Sequence, residues 1–154
     1  MKKILLGLFL ILGVVSFALP NYVSEEKIRN SGYEITDEEE FGFRIARQKN
    51  NGDATVILYY LDYPEVSSAK QLSEMSVKTA PEEFKFSGST ENKKAYINKF
   101  VSPEGKGVYS FVGKKSKIKN CYIVIMHSTS KQLSNSELTK TVDVLLDEAE
   151  SFLK

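Results

Sequence analysis

Cys121 and His127 are the residues whose types most readily suggest chemistry, because a thiol beside an imidazole makes an activated nucleophile. They are the chain's one cysteine and one histidine, six residues apart. The apolar run from Cys121 to His127 reads as a β-strand, and even spacing puts both side chains on one face. At about 3.3 Å per residue they stand roughly 20 Å apart, while a nucleophile and its base meet at about 3 Å. A continuous strand therefore excludes the pair. Cys121 is then read as a small buried hydrophobe, and His127 as an ordinary strand-end residue.

Other chemistries need constellations that the chain does not spell out. A serine triad would have to use His127, and no Gly-x-Ser-x-Gly turn presents a nucleophile. One His and one Cys do not make a structural zinc site. The acidic run at Asp37 lacks the alternating oxygen ligands and glycine of a calcium loop. Neither glycine-rich nucleotide fingerprint occurs. Paired carboxylates of a glycosidase would need acids facing each other across a cleft. Here the acids fall in loops and off the apolar stripe of the last helix. The expectation is no catalytic, metal or cofactor site, with a hydrolase of unrecognised type as the alternative.

Charge gives the one candidate binding surface. Nine lysines lie between Lys85 and Lys119, opposed only by Glu91 and Glu104. Lys114, Lys115, Lys117 and Lys119 crowd one connection between two strands, and are the candidate contacts for an anionic envelope partner. With Tyr109, Phe111 and Tyr122 nearby, the same stretch imitates a nucleic-acid surface. A solvated turn whose lysines discourage edge-to-edge aggregation is the plainer alternative. The run from Glu34 to Glu40 carries only acidic charges and reads as a solvated loop or strand face.

The compartment decides against nucleic acid. Met1, Lys2 and Lys3, the apolar run Leu5 to Val15, and Ser16-Phe17-Ala18 form the three parts of a secretory signal, cleaved after Ala18. The alternative is an uncleaved anchor. However, the fifteen apolar residues from Ile4 to Ala18 fall short of the ~20 that span a bilayer. Pro20 then stops a helix. Cleavage leaves 154 − 18 = 136 residues with 19 basic and 20 acidic side chains, a net charge of −1. Nothing global draws such a chain to nucleic acid or anionic lipid. The expected location is periplasmic or secreted. A lone cysteine in an oxidising compartment also means that the core, not a disulfide, must hold the fold.

The elements follow from periodicity. Ser24 is placed to cap a short helix ending near Gly32. Phe41, Phe43 and Ile45 alternate as in a strand, Asn50-Asn51-Gly52-Asp53 suits a tight reversal, and Thr55 to Leu61 reads as a strand buried on both faces. Ser68 and Gln71 have capping-box spacing before a helix over Ala69 to Thr79, which Pro81 ends. Ser87-Gly88-Ser89 reads as a loop. Strands follow at Lys94 to Val101, Val108 to Val112 and Cys121 to His127, with a polar linker over Ser128 to Gln132. Ser134 and Glu137 form a second capping box. Leu138, Val142, Leu145, Leu146, Ala149, Phe152 and Leu153 then draw one helical stripe. Tyr59, Tyr60, Tyr63, Tyr96, Tyr109 and Tyr122 lie on or beside strands, suited to a core or a groove.

The expected fold class is α+β: a single antiparallel β-sheet with an internal helix and a C-terminal amphipathic helix packed on it. The parts are a signal peptide (1–18), an N-terminal segment (19–33) and one domain (34–154). Gly42-Phe43-Arg44-Ile45, the capped helix after the hairpin, Gly107-Val108-Tyr109-Ser110-Phe111 and the closing Glu150-Ser151-Phe152 resemble the PsbP-like fold over roughly residues 34–154. That resemblance implies a small exported sandwich that is largely a non-enzymatic binding or assembly factor. The expected function is a non-catalytic binding or accessory domain of the cell envelope.

Overall fold

The computed structural model describes residues 19–39, 42–49, 54–62 and 66–154. The signal segment, the Asn50–Asp53 reversal, Phe41 and Tyr63 lie outside them. Seven strands form one antiparallel sheet: β1 (Glu34–Glu39), β2 (Gly42–Lys49), β3 (Ala54–Leu61), β4 (Lys85–Glu91), β5 (Ala95–Val101), β6 (Gly107–Gly113) and β7 (Tyr122–Thr129). Their order is β1-β2-β3-β7-β6-β5-β4. Two meanders, one N-terminal and one C-terminal, are thus joined where β3 pairs with β7. That ladder runs from Ala54 opposite Thr129 to Leu61 opposite Tyr122 without a break in register.

Among the described residues, three helices cover the sheet: α1 (Glu25–Asn30), α2 (Ala69–Lys78) and α3 (Asn135–Ser151). The alternation of side chains along the strands builds two cores. On one face Phe43, Ile45, Leu58, Phe111, Ile123 and Ile125 pack against α3, α1 and Tyr33. On the other, Ile57, Tyr59, Val108, Val112, Val124 and Met126 pack against α2 and Val66. The central strands β3, β6 and β7 are therefore apolar on both sides, and the chain is an α+β fold with helices on both faces of one sheet. The stripe read from Leu138 to Ala149 is the buried side of α3.

Local chemistry explains the element ends. Ser134 Oγ accepts from Glu137 N at 3.2 Å, and Glu137 returns a carboxylate to Ser134 N at 2.8 Å, a complete capping box. The other box is half formed. Ser68 Oγ accepts from Gln71 N at 3.1 Å, but the Gln71 amide oxygen takes Ser67 N at 2.9 Å instead of Ser68 N. Gly42 opens β2 with φ of 152°, and a Cβ there would stand 1.8 Å from the Tyr60 carbonyl oxygen, so no other residue fits.

Two readings of the sequence need correction, and a third is narrowed. Ser87-Gly88-Ser89 is not a loop but the middle of β4. The register shifts between Phe86 and Gly88, and this bulge breaks the alternation on which a strand is recognised. Of the two alternatives for the acidic run, loop or strand face, the structure has the strand: the run through Glu39 is β1, an edge strand with its own register shift between Ile35 and Asp37. Finally, β7 starts at Tyr122 and runs to Thr129, so Cys121 precedes the strand and Ser128 and Thr129 belong to it.

The N-terminal segment is tied into the domain. Val23 bridges Leu153, Ser24 N donates to Phe152 O at 2.8 Å, and Lys154 N donates to Tyr22 O at 2.8 Å. Ile28 and Tyr33 are core residues.

Truncating Ile125, wholly buried between β7 and α3, is expected to cost about 2–5 kcal/mol as Ile125→Ala, by lost transfer energy plus the cavity left behind. Val144→Ala on the exposed side of α3 should change stability by no more than about 0.5 kcal/mol. Urea unfolding of the two variants checks the contrast.

Candidate functional site

The residues that first suggest nucleophilic chemistry are packed away. Cys121 is buried just before β7, and burial, with Asp62 and Glu150 adding to it, pushes its thiol up to about 11. A thiol held protonated at neutral pH is a poor nucleophile. His127 is 8% exposed, with its ring 6.4 Å from Tyr109 and 6.3 Å from Phe111, and its Nδ1 is 3.3 Å from the Thr55 carbonyl oxygen. Cys121 immediately precedes β7, and His127 lies toward the strand's far end. Among the described residues, no three metal-ligating side chains come together. No helix there is long and apolar enough to cross a membrane.

The lysine connection is less uniform than its sequence. Lys114 turns inward: its ammonium pairs with Glu91 and lies 4.7 Å from the centre of the Tyr96 ring. The pairing holds the Glu91 carboxyl below its usual range. Lys115, Lys117 and Lys119 are exposed and make no ion pair among the described residues. The C-terminal half of α3 brings acids beside them. Glu150 accepts from Lys117 N at 3.2 Å, and Asp147 pairs with Lys94 at 2.7 Å. The connection folds over a small recess of about 160 Å³ that reaches Cys121 and Tyr122.

An acid off the apolar stripe of α3 has a structural task. Glu148 takes both Arg47 amino groups, at 2.7 and 2.8 Å, and a 2.9 Å hydrogen bond from Tyr33. Arg47 also donates to Ser31 O at 2.9 Å and stacks 4.1 Å from the Tyr33 ring centre. Burial and the neighbouring carboxylate raise the Tyr33 hydroxyl far above its ordinary range. This bidentate pair clamps the N-terminal segment onto β2 and α3.

The tyrosines divide in the same way. Tyr59, Tyr60 and Tyr109 are core residues, and Tyr60 donates to the Ala149 carbonyl at 2.8 Å. Tyr122 borders the small recess under the lysine connection, and Tyr96 reaches a larger groove. That groove, about 370 Å³, runs between α2 and the edge strand β4. Phe86 and Tyr96 form its apolar floor with Val77, and Lys70, Glu74 and Lys78 stand along its helical rim. Phe86 is 45% exposed, unusual for a phenylalanine in a folded domain. The outer edge of β4 pairs with no strand among the described residues.

A buried polar network fixes the groove's width. Asn98 Nδ2 donates to Ser73 O at 3.0 Å, Ser73 Oγ at 3.0 Å and Ser76 Oγ at 2.9 Å. Its Oδ1 accepts from Ser89 Oγ at 2.7 Å. Ser110 joins through Ser76. One amide thus ties α2, β4, β5 and β6 together at the groove floor, and a fully satisfied buried network of this kind specifies one arrangement. Alternation along β5 puts Asn98 on one face with Tyr96 and Phe100, but nothing local announces Ser73 and Ser76 as its partners.

A further recess of about 250 Å³ lies over the central strands on the α2 face, lined by Ile57, Phe84, Val108 and Met126 together with Glu104 and Lys106. No protein-family model matches the chain, and comparison with curated proteins finds no match.

The Cys121 thiol gives a pH prediction with a definite sign. Its folded value is raised above that of an exposed thiol, so the stability resting on the neutral thiol is complete below about pH 8.5. It is lost as pH rises through about 11. Urea unfolding at neutral pH and at high pH should show the wild type losing more stability than Cys121→Ala across that interval.

Proposed function

We propose that the chain is an exported, non-catalytic binding or accessory domain of the cell envelope, holding a partner in the groove between α2 and β4. The observation that carries this reading is the exposed Phe86 on an apolar groove floor beside an unpaired strand edge. Large exposed apolar side chains next to open edges are the features a binding surface uses and a non-binding surface avoids. The packing of Cys121 and His127 agrees with a protein that works by contact and not by covalent chemistry. The N-terminal three-part pattern supports export, and the PsbP-like texture of the sequence supports a binding or assembly role.

A second reading keeps the lysine connection as the working surface. The exposed, unpaired side chains of Lys115, Lys117 and Lys119 favour it, and an anionic envelope component is the partner it implies. Asp147 and Glu150 beside them weaken the positive potential such a partner needs.

One experiment separates the two. A photoreactive amino acid is placed singly at Phe86, Lys117 or the exposed Lys140 of α3, and the exported protein is irradiated in cells. The groove reading expects a discrete adduct from position 86 and none from 117 or 140. An adduct from 117 alone, lost as salt is raised, would replace it with the lysine reading.

A further inference from the structure

We propose that the recess over β3, β7 and β6 binds a free amino acid with an apolar side chain, of the size of leucine or methionine. The recess shares no lining residue with the α2–β4 groove, and this inference does not rest on the reading of that groove.

The strand register lays out the floor. Ile57 on β3 stands opposite Met126 on β7. Nearer the strand ends, Ser128 stands opposite Thr55 on one side and Val108 on the other. All five residues line the recess. Directly opposed residues of neighbouring strands share a face, so the floor is made of two rows. The inner row, Ile57 and Met126, is apolar. The outer row sets the hydroxyls of Thr55 and Ser128 beside Val108. Phe84, from the connection after α2, adds an aromatic side chain to the lining.

The charged groups stand at the outer end. Val101 pairs with Gly107, so the turn Ser102–Lys106 leaves the sheet at the end where the outer row lies. Ser102 fixes this turn. Its N–H donates to Lys106 O at 3.0 Å, its carbonyl accepts from Gly105 N at 2.9 Å, and its Oγ accepts from Lys106 N at 3.2 Å. The same Oγ donates to Glu104 Oε2 at 3.2 Å, which holds that carboxylate beside a buried residue of the lining. Glu104 and Lys106 are both exposed and both line the recess. Neither makes an ion pair among the described residues, with the other or elsewhere.

One end of the recess therefore offers a carboxylate, an ammonium and hydroxyls, and the other an apolar bed. A ligand head with a single charge would meet one like charge there, whereas a zwitterionic head meets an opposite charge on both sides. The α-ammonium faces Glu104, the α-carboxylate faces Lys106, and the side chain lies over Ile57 and Met126. The size agrees. An apolar cavity of about 150 Å³ takes a benzene ring, so on that scale the recess has room for roughly ten non-hydrogen atoms. Because the turn is already fixed, binding does not have to order its backbone.

The test titrates the isotope-labelled protein with leucine, with isocaproate, which lacks the ammonium, and with isoamylamine, which lacks the carboxylate. Leucine is expected to shift the amides of Thr55, Gly105, Val108 and Met126. It should bind about tenfold more tightly than either analogue, as the loss of one charge-assisted contact implies. Glu104→Gln should reduce leucine to the affinity of isocaproate, and Lys106→Met to that of isoamylamine. Both substitutions fall on an exposed turn, and unchanged amide shifts along β3 and β7 check that the fold is kept. Either analogue binding as tightly as leucine would overturn the proposal. So would leucine shifts confined to other elements, no shifts up to the solubility limit of the amino acid, or leucine binding that both variants leave unchanged.

Discussion

Everything in this fold hangs on the pairing of β3 with β7. These strands are far apart in sequence, yet they are the seam between the two meanders. Each is apolar on both faces because each supplies a layer to both cores. Neither core closes without the other, so the helices on the two sides are coupled through the same backbone ladder. The register is fixed by burial: a slip of one residue would exchange the faces of every side chain along β3. The single buried cysteine takes no part in a disulfide, and the domain relies on this packing instead.

Polar contacts then decide where the outer elements sit. Glu148 on α3 gathers Arg47 and Tyr33 and draws the N-terminal segment onto the sheet. On the far side Asn98 does the same for α2, through two serines of the helix and one of β4. Removing one partner from such a buried set leaves desolvated groups behind, which is why each behaves as a unit. The two sets differ in consequence. The Glu148 clamp closes a seam, whereas the Asn98 network holds a groove open beside an edge strand.

Most of the architecture was legible because its signals are local. Serine caps, the helical stripe from Leu138 to Ala149, and the doubly apolar Thr55–Leu61 run declare themselves within a few residues. The elements that escaped are those whose pattern is broken or polar. In β4 the bulge at Gly88 interrupts the alternation, and in β1 the acids outweigh it. The candidate site was much less visible. Sequence singled out Lys114, Lys115, Lys117 and Lys119 as one cluster, but Lys114 is spent on Glu91 and Tyr96. The task of Glu148 is not local either, since it lies off the helical stripe and its Arg47 partner is on a distant strand. The groove depends on residues from α2, β4 and β5 that become neighbours only when the sheet forms. The exposure of Phe86 follows from its place on the strand at the sheet's end.

The proposed binding role rests on an aromatic floor beside an open strand edge, in a domain whose Cys121 and His127 are packed into the core. Amide hydrogen exchange along β4, in the free chain and with a concentrated envelope fraction added, addresses that claim most directly. The account predicts slow exchange for β3 and β7 in both samples. The outer-edge amides of β4 should exchange fast in the free chain and become protected in the presence of the fraction. Protection that appears only in the connection from Lys115 to Lys119, or β4 amides already protected in the free chain, would contradict it.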